Sequence, residues 1–262
     1  MTHRATNPAP LATVLAAEGL DWIVPSWPAP SRVQAISTTR NGAAGQGIDF
    51  APSMRGDSAR ELLRRIVPAE PVWLRQVHGT AVADLDAPRD GSAADASVTR
   101  TPGTVCAVLT ADCLPVLFAD RDASVVGAAH AGWRGLAAGV LEAAVAAMRV
   151  PPSSIMAWLG PAIGPRAFEV GSDVHAAFCD ADPGAGEFFV PRATASATAK
   201  ADMKWHADLY ALARRKLARV GVVEFHGGGR CAVTESEVFH SYRRDGAAGN
   251  GRMATMIWLG PR

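Results

Sequence analysis

The chain has 262 residues, 48% of them hydrophobic, and a formal net charge of +1, the composition of an ordinary soluble globular protein with enough apolar material for a packed core. Its basic residues are scattered, and the densest groups, Arg214-Arg215-Lys216 and Arg243-Arg244, are too short for the sustained cationic stripe of a nucleic-acid binder. The longest apolar stretch, around 104–119, is interrupted by Asp112 and falls short of the ~20 residues of a membrane helix, so no membrane span is expected.

Residues 1–19 carry one early arginine and a short apolar run that leads into Glu18 without a processing site. They read as a flexible N-terminus or a short helix of a cytoplasmic protein. Residues 20–262 show no internal repeat and no linker, and read as one domain. From Trp22 to Thr39 the chain is apolar with several prolines, and "TTRNGAAGQG" follows as a turn-rich loop with Asn41-Gly42 as a hairpin-turn signal. "SARELLRRIV" has Leu62, Leu63 and Ile66 on one side of an expected amphipathic helix. "PVWLRQVHGTAVADLD" reads as a strand or hairpin with His78-Gly79 at a turn.

The centre carries the densest strand signal: "TVCAVLT", "LPVLFAD" and "SVVGAAHA" are short apolar runs, as expected for a sheet buried on both faces. "LAAGVLEAAVAAMRV" then has helical spacing of Leu136, Val140, Leu141, Ala144, Val145 and Met148, ended by Pro151-Pro152. "IMAWLG" is a further strand, "SDVHAAFCDA" a short helix, "PRATASATAKADMKW" a mobile surface loop, and "HADLYALARRKLARVG" an amphipathic helix closed by Gly221. "RCAVTESEVFHSYRRDG" and "RMATMIWLG" read as two last strands around a glycine-rich turn. The glycines of "GGGRC" and "GAAGNGRM" lack the strand-loop-helix context of a phosphate loop and read as turns. This order of elements predicts one α/β domain with a mixed sheet covered by helices.

Three reactive residues stand at the ends of apolar runs: His78 in "RQVHG", Cys113 in "TADC" and His130 in "AAHAGWRG". Two imidazoles and a thiolate suit Zn²⁺ and leave a fourth position open, as in catalytic sites, although gaps of 35 and 17 residues match no zinc-finger spacing. The same residues allow two other readings: Cys113 as nucleophile with His130 as its base, or a buried thiol beside hydrogen-bonded histidines. Asp112 reaches the same cavity as Cys113 only if the chain turns at 111–113. There it would act as general acid or base, or cap the turn and orient a histidine. Arg134, at the entry to a helix expected near Gly135, suits an anion or a surface carboxylate. His175, His206 and His226 read as surface or core histidines, and Cys106, Cys179 and Cys231 as small core residues in the reduced state.

At "RQVHG", "ADASVTRTPG", "TADCLPVLFAD", "AAHAGWRGLAAGVLEAAV", "LGPAIGPRAFEVG" and "FHSYRRDGAAGNGRMATMIWL", in this order over about residues 20–260, the chain resembles the bacterial YfiH/YlmD family, relatives of the mammalian laccase-domain-containing protein. The resemblance implies a layered α/β sandwich of mixed sheets flanked by helices, a fold likened to that of cysteine-hydrolase toxins. It implies a zinc-dependent enzyme that phosphorolyses adenosine, inosine, guanosine and methylthioadenosine and also deaminates adenosine, so the partners expected are a nucleoside and phosphate. Some bacterial members are described instead as peptidoglycan editing factors, which remove serine from a muropeptide precursor by amide hydrolysis. The family's zinc ligands fall on His78, Cys113 and His130; Asp112 and Arg134 occupy motif positions expected to be catalytic, and Arg40 of "STTRNG" is expected on the phosphate side of the pocket.

Two segments depart from the family pattern. "GIDFAPSMRGD" stands where an "NLG" element is usual, and His240 replaces an aromatic residue in "HSYRRDG", so no ligand role is carried over to His240. The family was first described as multicopper polyphenol oxidases, yet such an oxidase needs many more histidine ligands than are grouped here. Copper is therefore a weaker expectation than zinc, and laccase chemistry the weakest. The sequence leaves both monomer and homodimer open.

Overall fold

The computed structural model describes residues 10–43, 47–51, 57–88, 91–192, 203–249 and 251–262. The chain opens with helix α1 (Leu11–Ala17), strand β1 (Val33–Ser37) and helix α2 (Asp57–Arg64). The one-sided pattern of "SARELLRRIV" is realised: Leu62, Leu63 and Ile66 are buried and share a core cluster with Leu15 of α1 and Ile36 of β1. The short helix expected in residues 1–19 is α1, and residues 1–9 lie outside the described residues, as do 52–56 of the divergent "GIDFAPSMRGD" segment.

The middle of the chain forms β2 (Val82–Asp84), β3 (Ala96–Thr99), β4 (Cys106–Thr110), β5 (Leu114–Asp120) and β6 (Val126–Ala131), then helices α3 (Trp133–Ala138) and α4 (Val140–Met148), then β7 (Ile155–Leu159). The three apolar runs thus become β4, β5 and β6, and every residue of β5 and β6 is buried. The C-terminal part contributes β8 (Glu169–Val170), α5 (Ser172–Cys179), β9 (Phe189–Arg192), β10 (Lys204–Ala207), α6 (Leu209–Arg219), β11 (Glu224–Gly227), α7 (Tyr242–Asp245) and β12 (Met253–Leu259). In α6 the Asp208 carboxylate accepts from Ala211 N at 3.0 Å, capping the helix start, and Lys216 and Arg219 sit in its last turn where the dipole favours them.

Three expectations are corrected. The helix expected across 136–150 is two helices, because Gly139 lies at φ 107°, a left-handed conformation that ends a helix and suits only glycine at low cost. "RCAVTESEVFHSYRRDG" is not a strand but a series of turns closing in α7, with Glu235 N donating to Cys231 O and Phe239 N to Glu235 O, each at 3.0 Å. Its apolar residues Ala232 and Phe239 pack with Met253 as a small satellite core instead of entering a ladder. The ends of "PRATASATAKADMKW" lie in β9 and β10, which pair antiparallel, and residues 193–202 are outside the described residues. Cys106 is buried as expected, whereas Cys179 and Cys231 are only half-buried; all four thiols are free.

The strands form a six-stranded mixed sheet in the order β11-β7-β5-β6-β3-β2 and two three-stranded sheets, β1-β12-β4 and β8-β10-β9. Period-two alternation gives the large sheet two apolar faces. Leu114, Val116, Phe118, Ala129 and Ala131 face a core that includes Leu141, Ala144 and Met148 of α4 and Leu212 and Leu217 of α6. Leu117, Ala119, Val126 and Ala128 face the other way, onto Cys106 and Val108 of β4 and Ile257 and Leu259 of β12. The result is a mixed α/β sandwich of sheets flanked by helices. By the same parity His130 and Asp95 lie on the face turned toward the β1-β12-β4 sheet, at the strand ends where a rigid sheet gives way to loops. Among the described residues no helix is long and apolar enough to cross a membrane.

Candidate active site

Two ladders deliver the reactive residues. β3 and β6 pair antiparallel with Ala96 opposite Ala129, so the next step sets Asp95 opposite His130, and His130 N donates to Asp95 O at 2.7 Å. Cross-strand partners share a face, and the His130 Nδ1 and Asp95 Oδ1 atoms meet at 2.8 Å. β5 and β6 pair with Leu114 opposite Ala131, so the step beyond brings Cys113 against Gly132. The chain then turns at Asp112, which takes φ 82°. This turn is what allows the neighbouring side chains of Asp112 and Cys113 to line one cavity.

Asp95 is fully buried and was not singled out from the sequence. Its Oδ1 accepts from His78 N at 2.9 Å and its Oδ2 from Val77 N at 3.1 Å and Gly79 N at 2.7 Å, in addition to the His130 contact. One carboxylate therefore holds the backbone of the His78 turn, with His78 at φ 60°, and the ring of His130. Burial acts to raise the Asp95 carboxyl, and the bonds from His130, Gly79 and Val77 outweigh it, leaving its pKa below the ordinary value. A signal was present in "ADASVTRTPG": an acid at the start of a buried strand must be satisfied by donors nearby.

The donor atoms of His78, Cys113 and His130 lie within 4.8 Å of one another, and theirs is the group of metal-ligand type found among the described residues. Cys113 Sγ and His78 Nε2 are 3.7 Å apart, against an S···N edge of about 3.6 Å for a tetrahedral zinc with ordinary bond lengths. Because an ionised carboxylate only accepts, His130 donates from Nδ1 to Asp95 and turns Nε2 inward, the orientation seen for metal-bound histidines. The three residues fit a metal ion. Burial alone would raise the Cys113 thiol, but His130 and His78 outweigh it and bring it down to about 6. Burial likewise opposes charge on His130, yet Asp95 and Cys113 raise it to about 9. The metal-free pair is thus a thiolate beside an imidazolium.

Gly132 makes room for this cluster. A Cβ there would stand 2.6 Å from His78 Cδ2 and 2.9 Å from Cys113 Sγ. The backbone at Gly132 is ordinary extended chain with φ −61°, so Gly132→Ala should fold and simply displace the exposed His78 ring. We expect it to weaken metal binding by about tenfold or more, the scale of losing a ligand-orienting contact, with little change in Tm, as measured by chelator competition and thermal melting.

The cluster lies in the wall of a 660 Å³ cavity, within the range of small-molecule sites, roughly 300–1,000 Å³. Apolar and aromatic walls come from Leu74, Leu109, Ile163, Phe168 and Tyr242, and cationic ones from Arg75, Arg134, Arg243 and Arg252. Asp112 is the acid among the lining residues. Its Oδ2 accepts from Arg243 N at 2.6 Å, and among the described residues its Oδ1 is buried without a hydrogen-bond partner. Burial raises its pKa above the ordinary value, and the Arg243 N–H, the Ser241 hydroxyl and the charges of Arg243 and Arg244 offset this only in part, so Asp112 holds its proton more readily than a free carboxyl. Arg134, expected near a helix entry, is in the first turn of α3, which begins at Trp133; its guanidinium stacks on the Trp133 ring at 4.5 Å. The structure does not bring Arg40 to this cavity: its Nη1 donates to Ser236 O at 2.8 Å. His240 Nε2 lies 2.8 Å from Ile48 O, away from the metal ligands.

A mixed α/β sandwich with a His-Cys-His cluster at its strand ends defines a class, and the chain belongs to the family described as multi-copper polyphenol oxidoreductase laccase, whose model matches residues 55–260. It is 48% identical over 253 residues to Escherichia coli "Purine nucleoside phosphorylase YfiH", covering 90% of this chain and 98% of that protein. A purine nucleoside phosphorylase of Pseudomonas aeruginosa is 46% identical over 248 residues, 91% of this chain and 98% of the relative. Among solved structures, Neisseria meningitidis NMB0706 superposes with a TM-score of 0.81 at 44% identity, over 92% of this chain and all of that one. YlmD from Geobacillus stearothermophilus does so with a TM-score of 0.73 at 25% identity, over 92% and 96%.

Proposed function

We propose that the protein is a zinc-dependent purine nucleoside phosphorylase, acting on adenosine, inosine, guanosine and methylthioadenosine, that also deaminates adenosine. The observation that carries this reading is the His78-Cys113-His130 cluster in the wall of a cationic, aromatic-lined cavity, in a chain 48% identical to a protein named purine nucleoside phosphorylase. Zinc held by these three residues would supply Lewis acidity toward an oxygen of substrate or water. Laccase chemistry is not favoured, because multicopper oxidases need several more histidines than this one cluster offers. Four free cysteines support work in a reducing compartment, the cytoplasm.

In phosphorolysis an oxygen of hydrogen phosphate forms a bond to ribose C1′ while the C1′–N9 bond breaks and its electron pair leaves with the purine. Asp112, whose pKa burial raises and whose Oδ1 has no partner among the described residues, would donate to the departing base, and the proton of the phosphate would restore it. Arg134 pairs with the anion, and Phe168 and Tyr242 offer faces on which a purine stacks. In deamination a water oxygen adds at C6 and ammonia leaves, and Asp112 again moves the proton.

A second reading has its own observation. Cys113, His130 and Asp95 follow one another as thiol, imidazole and buried carboxylate, the sequence of groups in a cysteine hydrolase. Such an enzyme, or a zinc amidase, would release serine from a muropeptide precursor. Incubating the purified protein with adenosine and phosphate, and separately with the serine-containing precursor, separates the two. Adenine, hypoxanthine and ribose 1-phosphate are expected in the first mixture; serine release alone, in the second, would reject the phosphorylase.

A further inference from the structure

We propose that Arg75 is an anion contact of the cavity and that, with Arg134, it holds the phosphate dianion; the proposal rests on the phosphorylase reading above. Of the four guanidinium groups lining the cavity, two are engaged by the protein. Arg243 Nη1 donates to Ala167 O at 3.4 Å and Glu169 O at 3.1 Å, and Arg252 Nη1 to Gly251 O at 3.0 Å. Among the described residues the guanidinium groups of Arg75 and Arg134 make no hydrogen bond or ion pair, and Arg134 is steadied only by its stack on Trp133. These two cations, unpaired among the described residues and each with five donors, face a cavity whose described lining is largely apolar and holds one acid, Asp112. Such a concentration of one sign draws an anion of matching charge and number of acceptors.

The backbone that carries Arg75 is held with unusual completeness for a segment outside any strand. Gln76 Nε2 donates to Leu109 O and Leu109 N donates to Gln76 Oε1, both at 2.8 Å. Ala94 N donates to Arg75 O at 3.3 Å, and Asp95 gathers the three N–H groups of residues 77–79. Pinning of this kind fixes two side chains that enter the cavity, Arg75 and His78, three residues apart. Arg134 enters from the α3 side, four residues after His130. Each free arginine is thus tied to an element that also supplies a metal ligand, and an anion between them lies beside the cluster. There a phosphate oxygen would form the bond to C1′ as the bond to N9 breaks, with the electron pair passing to the purine and the phosphate proton balancing the one the base takes up.

The test is the split between substrates in zinc-loaded Arg75→Gln, with Arg166→Gln, an exposed residue outside the cavity lining, as a control for loss of charge. KM for phosphate should rise about tenfold to a hundredfold, the scale of a charge-assisted hydrogen bond lost, while KM for the nucleoside moves less than twofold. Arg75→Lys should recover part of the loss. Calorimetric titration with inorganic phosphate alone, without nucleoside, should show the same weakening, with zinc content unchanged. An unchanged phosphate KM and an unchanged phosphate titration in Arg75→Gln overturn the proposal even if the nucleoside is cleaved. Phosphate binding that depends on Arg75 in a protein that cleaves no nucleoside upholds the anion site and rejects the phosphorylase instead.

Discussion

Cys113→Ala is expected to lower kcat/KM with adenosine and phosphate by at least about 10³-fold, because Lewis-acid catalysis is worth several kcal/mol and each ~1.4 kcal/mol is a factor of ten in rate. Zinc per chain, measured after purification without added metal, should fall with it. A Cys113→Ala protein with full activity would sink the metal-centred reading and the thiol-nucleophile reading together. Wild-type behaviour with an alkylating reagent separates those two. With the thiol at about 6, metal-free protein is mostly thiolate at neutral pH, so peptide-mapped alkylation of Cys113 should titrate near pH 6 and saturating zinc should suppress it. Cys106, pushed up to about 12 by burial, should stay unmodified throughout. A nucleophilic enzyme would instead be inactivated by the reagent whether or not zinc is present.

Asp95→Asn is expected to have the largest effect outside the ligands themselves. The substitution keeps one acceptor and adds an N–H₂ among donors that already converge there. Some of the N–H groups of residues 77–79 and His130 Nδ1 would then lack a partner, at about 1–3 kcal/mol for each buried group. Zinc affinity should drop by at least about 10–100-fold, read by competition with a chelator, and thermal stability should fall as well. The pH dependence has a definite sign. The folded-state pKa of Asp95 is depressed, so its stabilising contribution is present above the unfolded carboxyl value of about 3.9 and is lost as pH falls through the lower folded value. The gap in stability between wild type and Asp95→Asn should therefore narrow on acidification below about pH 4. A zinc affinity equal to that of wild type would show that His130 and the His78 turn hold their places without the carboxylate.

The parts of this architecture that could be read from the chain are those in which local pattern and final environment agree. The runs that became β5 and β6 in the large sheet and β4 in the β1-β12-β4 sheet are apolar at nearly every position because both faces of each are covered, and α6 announces itself by its apolar stripe and its closing Gly221. His78, Cys113 and His130 stood out because reactive side chains at the ends of apolar runs are costly without a purpose. The failures come where tertiary context reverses a local preference. Gly139 interrupts a good helical pattern because its backbone takes the left-handed conformation. Val238 and Phe239 carry strand propensity yet pack in a turn-rich segment against Met253. Asp95 escaped notice because its importance depends on lying opposite His130, which is a matter of ladder register and not of spacing. Arg75 escaped for a related reason: its freedom is visible only once the bonds of its neighbours are known, and Arg40, within the "STTRNG" motif, donates instead to Ser236 O.

The turn between β5 and β6 has a part in this that its position conceals. Asp120 holds it closed, accepting from Ser124 N at 2.7 Å, Val125 N at 2.9 Å and Ser124 Oγ at 2.7 Å, at the end of the two strands remote from the metal ligands. Yet the ladder it starts is the one that seats Cys113 against Gly132. A slip of a single residue would turn every side chain of one strand to the opposite face, and would carry the thiol away from both imidazoles without touching any of them. The strand pair works as a rule whose zero mark lies at Asp120 and whose reading is taken at the active site.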